Sequence, residues 1–293
     1  YFGKGDEAHL VYNFSLPPLT LHAFATGDAG PLSRWAAGLK VPTGGTLLNF
    51  LASHDGVGVT PAKGLVDDLG TIIAAVQARG GLVSYKATPD GKVPYELNIS
   101  WSDAVAPVDA TADERVASLL ASYAIACAMD GLPAVYFHSF TGSRSWQDGP
   151  RTLGYNRAIN RQRPRIGELE QALDDPSSMR ARTLEGFRSL LTERGRRPAF
   201  APDSPRRVLS DGGPVFALER GTGPGRVLVL INCGRGLLSY PVPVEWVKAA
   251  RITDPCTGYV TGCMVQLETG GAGNQGPDGT VAMPGYSVRW LEF

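Results

Sequence analysis

The chain has 293 residues, 43% hydrophobic and 19% charged, enough for one large folded domain or two modest ones. Its 28 Lys plus Arg balance 28 Asp plus Glu, so no net field favours nucleic acid or an acidic membrane surface as a partner. No apolar run approaches the length that spans a bilayer, and the chain opens at Tyr1 without a signal-peptide pattern.

The first two-thirds alternates strand-like and helix-like segments. Residues 8–14 are short and β-rich, and residues 19–39 read as helix interrupted at 27–30 by glycine. Residues 46–52 (TLLNFLA) form an apolar strand that runs into the polar Ser53-His54-Asp55. Residues 65–79 carry apolar side chains at helical spacing and stop at Gly80-Gly81. A long insertion punctuated by Gly and Pro, 80–108, precedes a strong helix over 113–129. That helix has Thr111 as N-cap, Glu114 three residues on, and Gly131 at its end. A short strand over 134–137 follows Pro133, then an irregular Arg-rich stretch and a helix over 177–194. Three strand-to-helix units with near-continuous apolar strands predict a parallel sheet with covered faces.

From about Arg206 the pattern changes to short strands separated by turns, at 207–209, 215–219, 227–232, 251–253, 264–268, 280–283 and 287–291. This predicts a small all-β sandwich. Of the four cysteines, Cys127 sits in an apolar helical stretch and reads as a buried small hydrophobe, while Cys256 and Cys263 flank a turn and can approach each other. There is no CxxC or zinc-like spacing and no metal-ligand cluster, and nothing else points to an oxidising compartment, so a cytoplasmic setting is expected.

The chemistry concentrates at His54-Asp55, directly after the apolar strand. Composition alone leaves two readings open: a polar turn, because Asp before Gly is common there, or a functional pair at a strand's C-terminal end. The motifs around it carry a resemblance. NFLASHDGVGV (49–59) resembles the fourth conserved region of the α-amylase superfamily of glycoside hydrolases. The segments at 1–23, 82–104 (LVSYKATPDGKVPYELNISWSDA), 131–144 (GLPAVYFHSFTGSR) and 154–162 (GYNRAINRQ) resemble, in order, parts of its sucrose phosphorylase-like subfamily. Within that subfamily the YELN run and the NRAINR loop look nearer to glucosylglycerate phosphorylases and sucrose 6-phosphate phosphorylases than to plain sucrose phosphorylases.

The resemblance implies an α/β fold: the last strand-helix units of a (β/α)8 TIM barrel over residues 1–200, then the β-sandwich domain over 201–293. It implies a retaining α-glucoside phosphorylase, a hexosyltransferase that converts a substrate such as glucosylglycerate, sucrose or sucrose 6-phosphate, with phosphate, to α-glucose 1-phosphate. The alternatives are a hydrolase or transglucosidase of the same superfamily and a non-catalytic sugar-binding relative. Asp55 would stabilise the transition state, with His54 on the same sugar ring and Arg161 matching the family's arginine near the nucleophile. Tyr95 and Glu96 match positions near the acceptor, and Lys86 and Arg144 are candidate phosphate contacts. The insertion over 80–108 is a lid candidate, and Arg157, Arg163 and Arg165 read as solvated loop cations. The nucleophile and the acid/base are expected ahead of Tyr1, so these residues alone are expected to be inactive. Phosphate is the implied co-substrate, with no organic cofactor and no metal. The sugar and phosphate are the expected partners, and the oligomeric state is open, a homodimer being one option.

Overall fold

The computed structural model describes residues 6–249, 251–262, 266–268 and 278–293. Strand β1 (Leu10–Tyr12) leads into helix α1 (Leu16–Thr26), whose first turn holds proline where the missing N–H has no intrahelical partner to lose. Gly27, at φ +71°, ends α1 in the left-handed conformation, and α2 (Gly30–Gly38) starts three residues on. The break expected at 27–30 is therefore real. Strands β2 (Thr46–Phe50) and β3 (Val57–Gly58) follow, then α3 (Leu69–Ala78), whose N-cap Asp68 accepts the Gly70 N–H at 2.8 Å.

The insertion over 80–108 is not an irregular loop. It folds as a hairpin of β4 (Leu82–Thr88) and β5 (Gly91–Asn98), antiparallel, with β3 paired to the other side of β5. Pro94 lies inside β5 opposite Tyr85, next to a register irregularity at Ser84/Tyr85, one of the few places a strand tolerates proline. Trp101 and Asp103 belong to a short helix, α4 (Trp101–Ala104).

Helix α5 (Ala112–Ala128) carries the predicted capping box: Glu114 N–H donates to Thr111 Oγ1, and Thr111 N–H donates to the Glu114 carboxylate at 2.9 Å. The next strand, β6 (Leu132–Ala134), ends three residues earlier than expected, because the chain turns into α6 (Phe137–Phe140). Two helices in the Arg-rich stretch escaped the sequence reading, α7 (Gly149–Leu153) and α8 (Ile166–Asp174); α9 (Met179–Gly195) was expected.

Strands β1, β2 and β6 form one parallel sheet with β2 in the middle, as the strand-helix alternation predicted. Asn13 Nδ2 donates to Asn49 Oδ1 at 2.9 Å and Asn49 Nδ2 to the Asp130 carbonyl at 2.8 Å, so a buried polar chain ties the sheet together. Helices α1 and α5 pack against it, while Leu10, Tyr12 and Phe14 stay exposed, with Tyr12 and Phe14 both edge-on to Phe50.

The rest is β-rich: β7 (Arg206–Val208), β8 (Val215–Arg220), β9 (Val227–Asn232), β10 (Leu238–Val242), β11 (Arg251–Asp254), β12 (Tyr259–Gly262), β13 (Gln266–Glu268), β14 (Asp278–Met283) and β15 (Val288–Glu292). They make a six-stranded sheet, β12-β11-β15-β9-β8-β7, and a three-stranded sheet, β10-β14-β13. Every residue of β8 and β9 is buried, because each face of the large sheet has a cover. Val215, Ala217, Leu228 and Leu230 pack with Val242, Trp246, Val281 and Met283 in the sandwich core. Phe216, Leu218, Val229 and Ile231 join the core that also holds α1, α5 and α9. Cys127, Cys233 and Cys256 are free thiols, and burial pushes the Cys127 thiol up to about 12. Cys263 lies outside the described residues, as does the start of the strand expected at 264–268.

Candidate active site

β2 fixes the site. It runs parallel to both neighbours and ends at Phe50, so His54 and Asp55 fall in the loop at its C-terminal end. The loop is folded onto itself by the Asp55 N–H, which donates to Ser53 Oγ at 3.1 Å. Gly56 permits what comes next: a Cβ there would stand 2.5 Å from the Leu97 carbonyl oxygen and 2.7 Å from Glu96 Cγ. The backbone after Asp55 can therefore lie directly against β5, and no other residue fits.

Two arginines converge on Asp55 Oδ1. Arg161 Nη2 donates to it at 3.0 Å, and Arg157 Nη1 stands 2.8 Å away in an ion pair. Arg161 also donates its Nε to the His54 carbonyl at 2.7 Å and lies over the Tyr155 ring. His54 Nε2 is 3.6 Å from the same Oδ1, with its ring largely exposed. Asn160 Nδ2 donates to the Asp55 carbonyl at 3.3 Å. The residues Asn156–Asn160 form a 3-10 turn, and Arg161 follows it at the C-cap in a non-helical conformation, so Arg157 and Arg161 bracket the turn with both side chains on one carboxylate.

Glu96 is buried in β5, 5% exposed. Arg157 takes both of its oxygens, Nε to Oε1 at 2.9 Å and Nη2 to Oε2 at 2.6 Å. The Arg157 guanidinium pKa is raised, chiefly by the hydrogen bonds to Glu96. Tyr95, beside it, lines a cleft of about 390 Å³ with Ser84, Tyr85, Tyr155, Asn156 and Arg157. Asp55, His54, Arg161 and Glu96 are thus brought together, and Tyr95 is adjacent through Arg157.

The two candidate anion contacts stand apart. Arg144 donates its Nε to the buried Asp103 at 2.9 Å, where Arg115 Nη1 and the Ser145 N–H also bind. It lines a narrow crevice shared with Ser53, Trp101, Tyr136, His138 and Asn160. Burial lowers the pKa of His138, whose Nδ1 lies 3.1 Å from Ser143 Oγ. Lys86 is exposed on β4 opposite Val93, outside the Asp55 cluster. A larger cavity of about 770 Å³, bounded by α5, α9 and Tyr286, shares no residue with this site. Among the described residues no group of three or more His, Cys, Asp or Glu is arranged to hold a metal ion, and no helix is long and apolar enough to cross a membrane.

Arg157 is the residue that sequence reasoning missed. It reads as one cation in an Arg-rich loop, and its partner Glu96 lies 61 positions away. The available signal was a glutamate inside an otherwise apolar strand end, since a buried carboxylate demands a counter-charge.

No family model matches the chain. It is 44% identical over 237 residues to a glucosylglycerate phosphorylase of Spirochaeta thermophila, covering 79% of this chain and 40% of that protein. It is 43% identical over 238 residues to a glucosylglycerate phosphorylase of Allomeiothermus silvanus, covering 79% of this chain and 43% of that protein. The chain thus spans less than half the length of these relatives. Among solved structures, sucrose 6F-phosphate phosphorylase from Thermoanaerobacter thermosaccharolyticum superposes with a TM-score of 0.62 at 20% identity, over 76% of this chain and 43% of that one.

Proposed function

The chain belongs to the sucrose phosphorylase-like subfamily of the α-amylase superfamily, and on that premise we propose that it forms part of a retaining α-glucoside phosphorylase. The reaction is reversible transfer of a glucosyl group from an α-glucoside to phosphate, giving α-glucose 1-phosphate. Glucosylglycerate is the leading substrate, with sucrose and sucrose 6-phosphate behind it; the names of the 44% and 43% identical relatives support that order.

One observation carries the reading: Asp55, at the C-terminal end of a central parallel strand, is gripped by Arg157 and Arg161 with His54 alongside. In a (β/α)8 barrel that end of the strands is where chemistry sits. The exposed Leu10 and Tyr12 on an edge strand of the parallel sheet, with Phe14 just beyond it, support a barrel of which residues 1–200 are a part, with 201–293 as the β-sandwich domain.

In this reading Asp55 accepts hydroxyls of the glucosyl ring and stabilises the positive charge that develops at an oxocarbenium-like transition state. His54, on the same loop and exposed, hydrogen-bonds the same ring. Arg157 and Arg161 hold the carboxylate still, so no reorganisation is needed as charge develops. The carboxyl pair that makes and breaks the glycosidic bond is assigned no residue of this chain. Tyr95 borders the acceptor side, and Arg144 is the better placed of the two anion candidates. Inorganic phosphate is a co-substrate, no organic cofactor takes part, and the setting is cytoplasmic.

Phosphate dependence tests the assignment. The protein carrying this chain, given glucosylglycerate and phosphate, is expected to release glucose 1-phosphate. Release of free glucose at the same rate without phosphate would instead establish the hydrolase.

A further inference from the structure

We infer that Glu96 is a positioning residue: its carboxylate holds the Arg157 guanidinium in a two-point fork, so that the third nitrogen stands against Asp55. The inference deepens the phosphorylase reading and rests on it for its kinetic consequence, though not for its geometry.

Three features carry it. All three guanidinium nitrogens of Arg157 are spent, two on Glu96 at 2.9 and 2.6 Å and one at 2.8 Å from Asp55 Oδ1. A planar fork locked at two points has no remaining rotational freedom, so the position of Nη1 is decided by Glu96 and not by Arg157 itself. Glu96 is in turn immovable: it is 5% exposed, sits in β5 where Glu96 pairs with Gly58, and its Cγ lies where a Gly56 side chain would have been. The loop that bears Arg157 is sewn to the same hairpin, with Asn156 Nδ2 donating to Ser84 Oγ at 3.1 Å and Asn98 Nδ2 donating to that oxygen at 2.9 Å.

The hairpin is therefore a jig and not a free lid. Displacing β5 pulls Glu96 from Arg157 and Arg157 from Asp55 in one movement. A glutamine at position 96 can meet the guanidinium at one oxygen only and supplies no charge, so the fork opens and Nη1 is released.

Two measurements test this on the protein carrying the chain. The first is independent of turnover: side-chain NMR of the arginines, with Arg157 assigned through Arg157→Lys. Separate, slowly exchanging Nη protons are expected for Arg157 in the native protein, collapsing in Glu96→Gln; unchanged signals in Glu96→Gln overturn the inference. The second is kinetic. Glu96→Gln and Arg157→Lys are each expected to lower kcat by roughly 10- to 100-fold, the range for a misplaced catalytic group. KM for glucoside and phosphate should stay within about threefold, and the double variant should lose no more than the worse single. Losses that multiply, or a Glu96→Gln variant that keeps kcat and raises only the acceptor KM, overturn it in favour of direct acceptor binding. Should Glu96→Gln not fold, Arg157→Lys carries the kinetic measurement alone, and a kcat within twofold of native refutes the inference. A native protein without phosphorolysis sinks the phosphorylase reading, while the NMR result still decides the geometry.

Discussion

Asp55 is surrounded by more positive charge than it can balance alone, and the balance is made at a distance by Glu96. Asp55→Asn keeps the shape but offers the two guanidiniums no charge and the substrate a weaker acceptor. In the protein carrying this chain, kcat should fall by roughly 10²- to 10⁴-fold, the scale of losing an electrostatic transition-state contact. Circular dichroism should show the fold intact; near-native turnover would remove Asp55 from the mechanism. His54, Asp55 and Arg161 were legible through the family resemblance carried by NFLASHDGVGV and GYNRAINRQ. The pairing of Arg157 with Glu96 was not, since the two lie 61 positions apart and only the lone glutamate in β5 hinted at a counter-charge. Lys86 was named for its charge, and charge alone does not say where on the hairpin a residue lies relative to Asp55.

The cap of α5 was legible from local chemistry, whereas the β4–β5 hairpin, which depends on tertiary pairing, was not. The capping box of α5 is written within four residues, so it was found from Thr111 and Glu114. The β4–β5 hairpin was misread because Pro94 and Gly91 look like loop punctuation until the pairing with β3 is known. Strand β10, held by β14, was missed for the same reason. Gly131, expected only to end α5, does more. At φ +108°, its Cβ would stand 2.2 Å from the Leu47 carbonyl oxygen, so it lets the α5–β6 connection press against β2. Gly131→Ala should destabilise by about 3 kcal/mol or more, strain and overpacking combined. Gly154→Ala is the control: φ is +78° but nothing lies within 4 Å of the added Cβ, so only about 1 kcal/mol is expected. Equal shifts in thermal unfolding would show that backbone conformation, and not contact with β2, sets the penalty.

The change of pattern at Arg206 located the β-rich part of the molecule, but it suggested a more separate unit than the packing allows. One core runs through α1, α5 and α9 into the inner faces of β8, β9 and β15, so helices and sheet share buried side chains. Arg220 rivets the junction. It is fully buried in β8, donates Nη1 to the Ala128 carbonyl and Nη2 to the Ala201 carbonyl at 2.8 Å, and stands 3.4 Å from Asp130 Oδ1. Burial lowers its pKa to about 10. Its acceptors include the last residue of α5, and Asp130 in turn presents its carbonyl to Asn49 in β2. The rivet therefore reaches the strand whose C-terminal loop bears His54 and Asp55. Arg220→Met fills most of the volume but removes the charged donor from the Ala128 carbonyl, while Ala201 keeps the Ser204 N–H and Asp130 keeps Arg206, at a cost of roughly 2–3 kcal/mol for the lost buried hydrogen bonds. Because the core is continuous, amide exchange should accelerate together in α5 and in β9, and urea unfolding should remain one transition at a lower midpoint. If β9 loosens while α5 keeps its native protection, the two halves are energetically separate, and the sandwich does not hold the site in place.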